Sequence, residues 1–209
     1  MSSNHKTSIE LPYVSPELRE YLQKSALLHD HLCPRQVLGV RLGLAGASAL
    51  GLSLPRCDKR LLVILETDGC FADGVESVTE CSVGHRTLRI HDYGKIALTV
   101  VDVQSGAGLR VTPRADVRDR AEFYSRQSVP DEDRPYFQML YGYQLMPEAA
   151  LATIQSVHLL TPVEAIVSHP NARACCQACG EEIFNDRQVA REGQVLCRAC
   201  AGDAYYTAA

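Results

Sequence analysis

Two groups of residues in this chain have types and spacings that carry chemistry. The later one is Cys176-x2-Cys179 and Cys197-x2-Cys200, with seventeen residues between the pairs. Each knuckle turns two thiolates toward one ion, and the intervening stretch is long enough for a hairpin that brings the knuckles together. That is the ligand set of a tetrahedral four-thiolate zinc site. Gln188-Val189-Ala190 and Gln194-Val195-Leu196 read as strands around the turn former Gly193. So short a segment cannot bury a core, and the metal must supply most of its folding free energy. Closed all-thiolate sites hold shape, so any catalysis belongs elsewhere.

The earlier group is His29-x-His31-x-Cys33-Pro34. In an extended segment residues two apart share a face, and all three side chains converge. In a helix, His29 and Cys33 face together and His31 points away. Imidazole and thiolate suit zinc, iron or copper better than magnesium or calcium. Cys33 precedes a helix opened by Pro34, where the positive end of the dipole lowers a thiol's pKa. Cys70 is placed alike, after a buried strand and before a helix, where open sheets tend to put functional groups. If residues 70–81 span one helix, a rise of ~1.5 Å per residue separates Cys70 from Cys81 by roughly 16 Å and rules out a shared ion. One of the two joins the His/Cys cluster. Cys70 is preferred because Asp68 lies beside it, and Cys81 reads as a small buried hydrophobe. Cys57 follows a Pro-Arg turn and reads as incidental. Lys95, in the turn Tyr93-Gly94-Lys95, is placed to hold an anionic group or to depress a neighbouring thiol's pKa.

The elements that must position these groups follow from local signals. Ser15 and Pro16 open a helix running to about Leu28, with leucines at 18, 22 and 28. A second helix runs from Pro34 to about Leu50, and Gly39, Gly43, Ala47 and Gly51 form a small-residue stripe that admits another backbone. Arg60 to Thr67 is a buried strand that delivers Asp68-Gly69-Cys70, and a short helix covers Phe71 to Thr79. Strands are expected over 87–91, 96–104 and 109–112. Helices are expected over 116–127, 136–143 and 147–154, with a last strand over 157–163. His169-Pro170-Asn171 links to the ribbon, giving a core domain over residues 1–170 and a ribbon domain over 171–209. Strand groups interrupted by helices of mixed order predict an α+β fold, a mixed sheet with packed helices, followed by the ribbon.

Composition limits the partners. The chain has 209 residues, 46% of them hydrophobic, and a formal charge of −4. No basic patch accompanies the ribbon, and four phenylalanines with no tryptophan offer little for stacking on bases. Nucleic acid is therefore not an expected partner. The first fifteen residues lack the apolar stretch of a signal peptide, and Leu38 to Leu54 is too short and too rich in Gly, Ala and Ser to span a bilayer. A cytoplasmic protein with no membrane partner is expected. Nine cysteines in a reducing compartment point to metal or thiol chemistry rather than to disulfides.

The run His29-x-His31-x-Cys33-Pro34 with its Gly-rich helix, then Glu66-Thr67-Asp68-x-Cys70, then Asp92-Tyr93-Gly94-Lys95-x-Ala97, closely resembles the FmdE family, named for the E component of the molybdenum formylmethanofuran dehydrogenase. Members commonly carry a C-terminal zinc ribbon, which Cys176, Cys179, Cys197 and Cys200 resemble. The likeness runs from about Glu20 to Gly202. Asp30 and Arg35 stand where the family has glycine, and His85 where lysine is frequent, which leaves the ligand set intact. The resemblance implies an α+β core with a metal or reactive thiol near His29, His31, Cys33 and Cys70, and a homodimer.

Three functions fit. The first is an accessory metalloprotein with zinc in the ribbon and a second transition metal (zinc, iron or another) in the core, assisting a molybdenum- or tungsten-dependent formylmethanofuran dehydrogenase-type oxidoreductase. The second is an enzyme acting on a small anionic substrate. There Cys33 or Cys70 is the activated thiolate, or the metal carries an activated water, Lys95 holds the anion, and Asp68 or a histidine moves protons. The third is a zinc-ribbon regulator or nucleic-acid module, against which the balanced charge counts.

Overall fold

Pro16 and Cys33-Pro34 start the first two helices. The computed structural model describes residues 14–29, 31–167 and 169–207. Ser15 Oγ accepts the Leu18 N–H at 3.2 Å and opens α1, Pro16–Leu28. Cys33 is extended (φ −122°, ψ 161°), as a residue before proline prefers to be, and opens α2, Pro34–Ala49. β1 (Leu61–Leu65), α3 (Cys70–Thr79) and β2 (Leu88–Ile90) form a strand–helix–strand unit with parallel pairing. β3 (Leu98–Asp102) and β4 (Gly108–Pro113) form an antiparallel pair beside β1. After α4 (Val117–Ser128), α5 (Pro135–Leu145) and α6 (Glu148–Leu151), β5 (Ala152–Val157) pairs antiparallel with β4. The sheet order is β2-β1-β3-β4-β5, mixed rather than doubly wound, and the fold is α+β as expected.

Alternation along the strands sends Leu61, Val63 and Leu65 to one face with Leu98, Val100 and Val111. Phe71, Val75 and Val78 of α3 and Val37 and Val40 of α2 belong to the same buried cluster. Each fully buried side chain of this size contributes about 1.5–3 kcal/mol of burial free energy. No described helix is long and apolar enough to cross a membrane.

The glycine stripe of α2 works in part as expected. A Cβ on Gly39 would overlap the Phe71 carbonyl oxygen, and one on Gly43 would lie 2.8 Å from Val78 Cγ1. Gly51 plays no part in this contact: it lies beyond the helix with φ +69°, a turn conformation that favours glycine. Arg41 lies on α2 and caps α5. Its guanidinium donates to the carbonyls of Tyr143, Gln144 and Met146 at 2.8, 3.0 and 2.9 Å, where the negative end of the helix dipole welcomes a cation.

Residues 147–163 depart from expectation. The helix expected over 147–154 stops at Leu151, because Thr153-Ile154-Gln155-Ser156 continues as an edge strand with little alternation to announce it. The strand expected over 157–163 is absent. Pro162 instead starts the short helix α7, Val163–Ile166.

The chain divides into two compact units between Leu159 and Leu160. In the second, β6 (Arg173–Cys175) pairs with β7 (Glu182–Phe184), and β8 (Val189–Arg191) with β9 (Gln194–Leu196). Glu192 and Gly193, with φ of 53° and 78°, form the tight turn between β8 and β9. Arg187 donates to the carbonyls of Ala165 and Ile166 at 2.5 and 2.8 Å, tying α7 to the ribbon.

Candidate metal centres

In the ribbon, the donor atoms of Cys176, Cys179, Cys197 and Cys200 all lie within 4.8 Å of one another. Zinc–sulfur bonds of about 2.3 Å in a tetrahedron require sulfurs about 3.8 Å apart. Cys179 Sγ and Cys197 Sγ, at 4.0 Å, are close to that spacing. Backbone amides aim at the sulfurs: Cys197 N–H donates to Cys176 Sγ at 3.3 Å, and Cys200 N–H to Cys197 Sγ at 3.4 Å. Amides of Cys179 and Cys197 hold the Cys176 thiol down at about 6. Cys200, crowded first by Cys197 and then by the other two thiols, is pushed up to about 12. A divalent cation removes that repulsion, so the donor set fits zinc. Cys175 stands outside the set, with its thiol on the Gly180 carbonyl at 3.2 Å.

In the first unit, the start of α2 and the start of α3 deliver Cys33 and Cys70 side by side. Gln36 locks Cys33: its Oε1 accepts the Cys33 N–H at 2.8 Å, and its Nε2 donates to the Ser25 carbonyl of α1 at 2.8 Å. Cys33 is buried. Burial pushes its thiol up, opposed by the backbone N–H of Gln36 and reinforced by the neighbouring Cys70 thiol. The lowered pKa expected from the helix end is therefore not the outcome at Cys33, because desolvation outweighs the amide.

Cys70 follows Gly69, whose φ of 69° and ψ of −150° is a glycine conformation and whose lack of a side chain leaves α3 without a side-chain cap. Cys70 Sγ lies 3.1 Å from His29 Nε2, and His29 Nδ1 lies 3.0 Å from Asp73 Oδ2. The His31 ring stands 5.0 Å from that of His29, centroid to centroid, and is exposed. Tyr136, at the start of α5, lies within electrostatic reach of the thiols. Burial raises its hydroxyl pKa, and the charges of Cys33 and Cys70 raise it further.

The structure thus brings His29, Cys33 and Cys70 together, with His31 at the rim. Asp68 and Lys95 lie on exposed loops, and the charge of Lys95 is felt at Glu66. Cys81 is fully buried with its thiol on the Leu61 carbonyl at 3.5 Å, a packing role. Asp30 lies outside the described residues. Among the described residues only the ribbon cysteines hold three or more donor atoms within 4.8 Å of one another, so the core set is more open than the ribbon. Imidazole and two thiols still suit a transition ion with room for a further ligand.

Sequence reasoning passed over three residues here. Asp73 and Gln36 each stand three places after a cysteine that starts a helix, a spacing that can be read. Tyr136 comes from a distant helix and carries no such signal.

Comparison with known proteins follows the same two-part division. A family model described as "FmdE, Molybdenum formylmethanofuran dehydrogenase operon" matches residues 28–156, and one described as "Prokaryotic dksA/traR C4-type zinc finger" matches residues 171–206. A "Probable S-adenosyl-L-methionine-binding protein" of Archaeoglobus fulgidus is 28% identical over 207 residues, covering 90% of this chain. The chain spans 54% of that relative's length. The crystal structure of a tungsten formylmethanofuran dehydrogenase FmdE-like protein from Syntrophus aciditrophicus superposes with a TM-score of 0.57. It is 20% identical, with coverage of 91% of this chain and 95% of that one, a likeness of fold. With the first model spanning more than half of its residues, the chain belongs to the FmdE family and carries a C4-type zinc finger after the family domain.

Proposed function

We propose that this chain is an accessory metalloprotein, with structural zinc in the ribbon and a second transition ion held in the core by His29, Cys33 and Cys70. Its partner in this reading is a molybdenum- or tungsten-dependent oxidoreductase of the formylmethanofuran dehydrogenase type. One observation carries the core site: His29 turns Nε2 to within 3.1 Å of Cys70 Sγ while Cys33 stands beside that thiol. A bound zinc or iron ion would supply a Lewis-acidic position there. The family description and the Syntrophus protein's description support the partner class. Capture of the tagged chain from its own cells tests the assignment. Molybdenum or tungsten should accompany the wild type and fall away in Cys33→Ser and Cys70→Ser; neither metal above an untagged control would sink it.

A second reading, a thiol enzyme, draws on the same contact. Cys70 starts a helix, has an imidazole at hydrogen-bond distance, and that imidazole meets a carboxylate: nucleophile, base and orienter. Turnover of a small anionic substrate by the isolated protein, abolished in Cys70→Ser, would favour it.

A homodimer is part of the proposal. β5 is an edge strand with Thr153, Ile154, Gln155 and Ser156 all exposed and no charge or proline to protect it. Light scattering on the purified chain should give twice the chain mass, and a monomer at micromolar concentration would remove this element.

A further inference from the structure

Both nitrogens of the His29 ring are engaged, Nε2 with Cys70 and Nδ1 with Asp73. The two nitrogens point away from each other across the imidazole, so Asp73 grips the side opposite the thiol. Cys70 and Asp73 lie three residues apart in the first turn of α3 and therefore share a face. One turn of helix thus offers a thiol and, beside it, a carboxylate that holds the neighbouring imidazole. Asp73 Oδ2 faces Nδ1 at 3.0 Å, and a carboxylate oxygen is an acceptor for an imidazole N–H.

We propose that Asp73 is a positioning residue: it accepts a hydrogen bond from His29 Nδ1, fixes the ring's tautomer and rotation, and turns Nε2 toward Cys70. The inference rests on the core-metal reading and extends it to a residue that no motif marks. A merely structural ion pair is the competing account. The side chains of His29 and Asp73 are 34% and 29% exposed, and a pair so open to water adds little to folding. Loss of a carboxylate behind a ligating histidine, by contrast, costs about 10–100-fold in metal affinity. The two roles therefore move different observables.

The test uses the full chain, with the ribbon as internal control, and compares wild type with Asp73→Ala and Asp73→Asn. Long-range 15N–1H spectra of metal-free protein report the His29 tautomer, and titration with Co2+ alone reports affinity at each site. The wild type should carry its proton on Nδ1. Asp73→Ala should lose that tautomer and bind cobalt in the core about 10–100-fold more weakly, with the ribbon and the melting temperature unchanged. Asp73→Asn, whose amide oxygen accepts the same bond, should restore most of both. A wild-type proton on Nε2, or unchanged tautomer and affinity in Asp73→Ala, would overturn the inference. If the wild type binds a single cobalt, the core-metal reading fails by itself. The tautomer of the metal-free variants then still decides whether Asp73 positions His29.

Discussion

Gln36 of α2 and Gly74 of α3 meet with no room for a β-carbon, since one on Gly74 would overlap the Gln36 carbonyl oxygen. The same crossing sets Gly39 against Phe71. Because Cys33 and Cys70 begin these two helices, the glycine crossing sets how near the thiols stand. Gly74→Ala should cost about 2–3 kcal/mol, because backbone rather than a flexible side chain must yield. It should also weaken core metal binding by moving the helix starts apart. Urea unfolding and cobalt titration check both effects, and a variant as stable as wild type would contradict the crossing.

Gln36 holds Cys33 from a fully buried position, bonded at both ends of its amide. Gln36→Leu keeps the volume but strands the Cys33 N–H and the Ser25 carbonyl. The expected loss is about 1–3 kcal/mol, the cost of leaving buried groups unpaired. Core metal affinity should fall with it while the ribbon keeps its zinc. Equal core affinity would show that Cys33 needs no such support.

Acid should act through Glu66. Its carboxylate accepts from Arg110 Nε and Nη2 at 2.5 and 2.7 Å, and those bonds hold it below its ordinary 4.5 against the opposing effect of burial. A group depressed on folding stabilises above its unfolded pKa and loses that contribution as pH falls through the folded one. Arg110→Gln should therefore cost about 1–3 kcal/mol at pH 7, with the difference from wild type shrinking as pH drops below about 4.5. Paired urea curves at pH 7 and pH 3 decide it, and a constant difference would contradict the linkage.

The ribbon should depend on metal alone. Its buried cluster is small, Cys176, Ile183 and Leu196 with a few partly buried neighbours. Cys197→Ser or a strong chelator should expose the segment from about residue 171 to rapid proteolysis while the first unit stays resistant. Survival of the ribbon without zinc would mean that its hairpins hold one another.

Much of this was readable in advance, for identifiable reasons. Ser15-Pro16 and Cys33-Pro34 announce helix starts by local chemistry, and Leu61–Leu65 is a continuous apolar run. The four ribbon cysteines declare themselves by spacing. β5 was not readable, since five of its residues from Thr153 to Val157 follow a helix-forming stretch, and its exposed positions show no alternation. The candidate site was half legible. His29, Cys33 and Cys70 stand out as residue types, but their meeting depends on Gly74, which looks ordinary within its own helix. Asp73 is marked by its spacing from Cys70, whereas Tyr136 gains meaning only once α5 is placed.

The most direct measurement is metal content per chain, by elemental analysis of protein purified without added metal or chelator, for wild type and for Cys70→Ser. The core-site account predicts two equivalents in wild type, one of them ribbon zinc, and one equivalent in a folded Cys70→Ser. One equivalent in both proteins would contradict it and leave the His29–Cys70 contact to thiol chemistry.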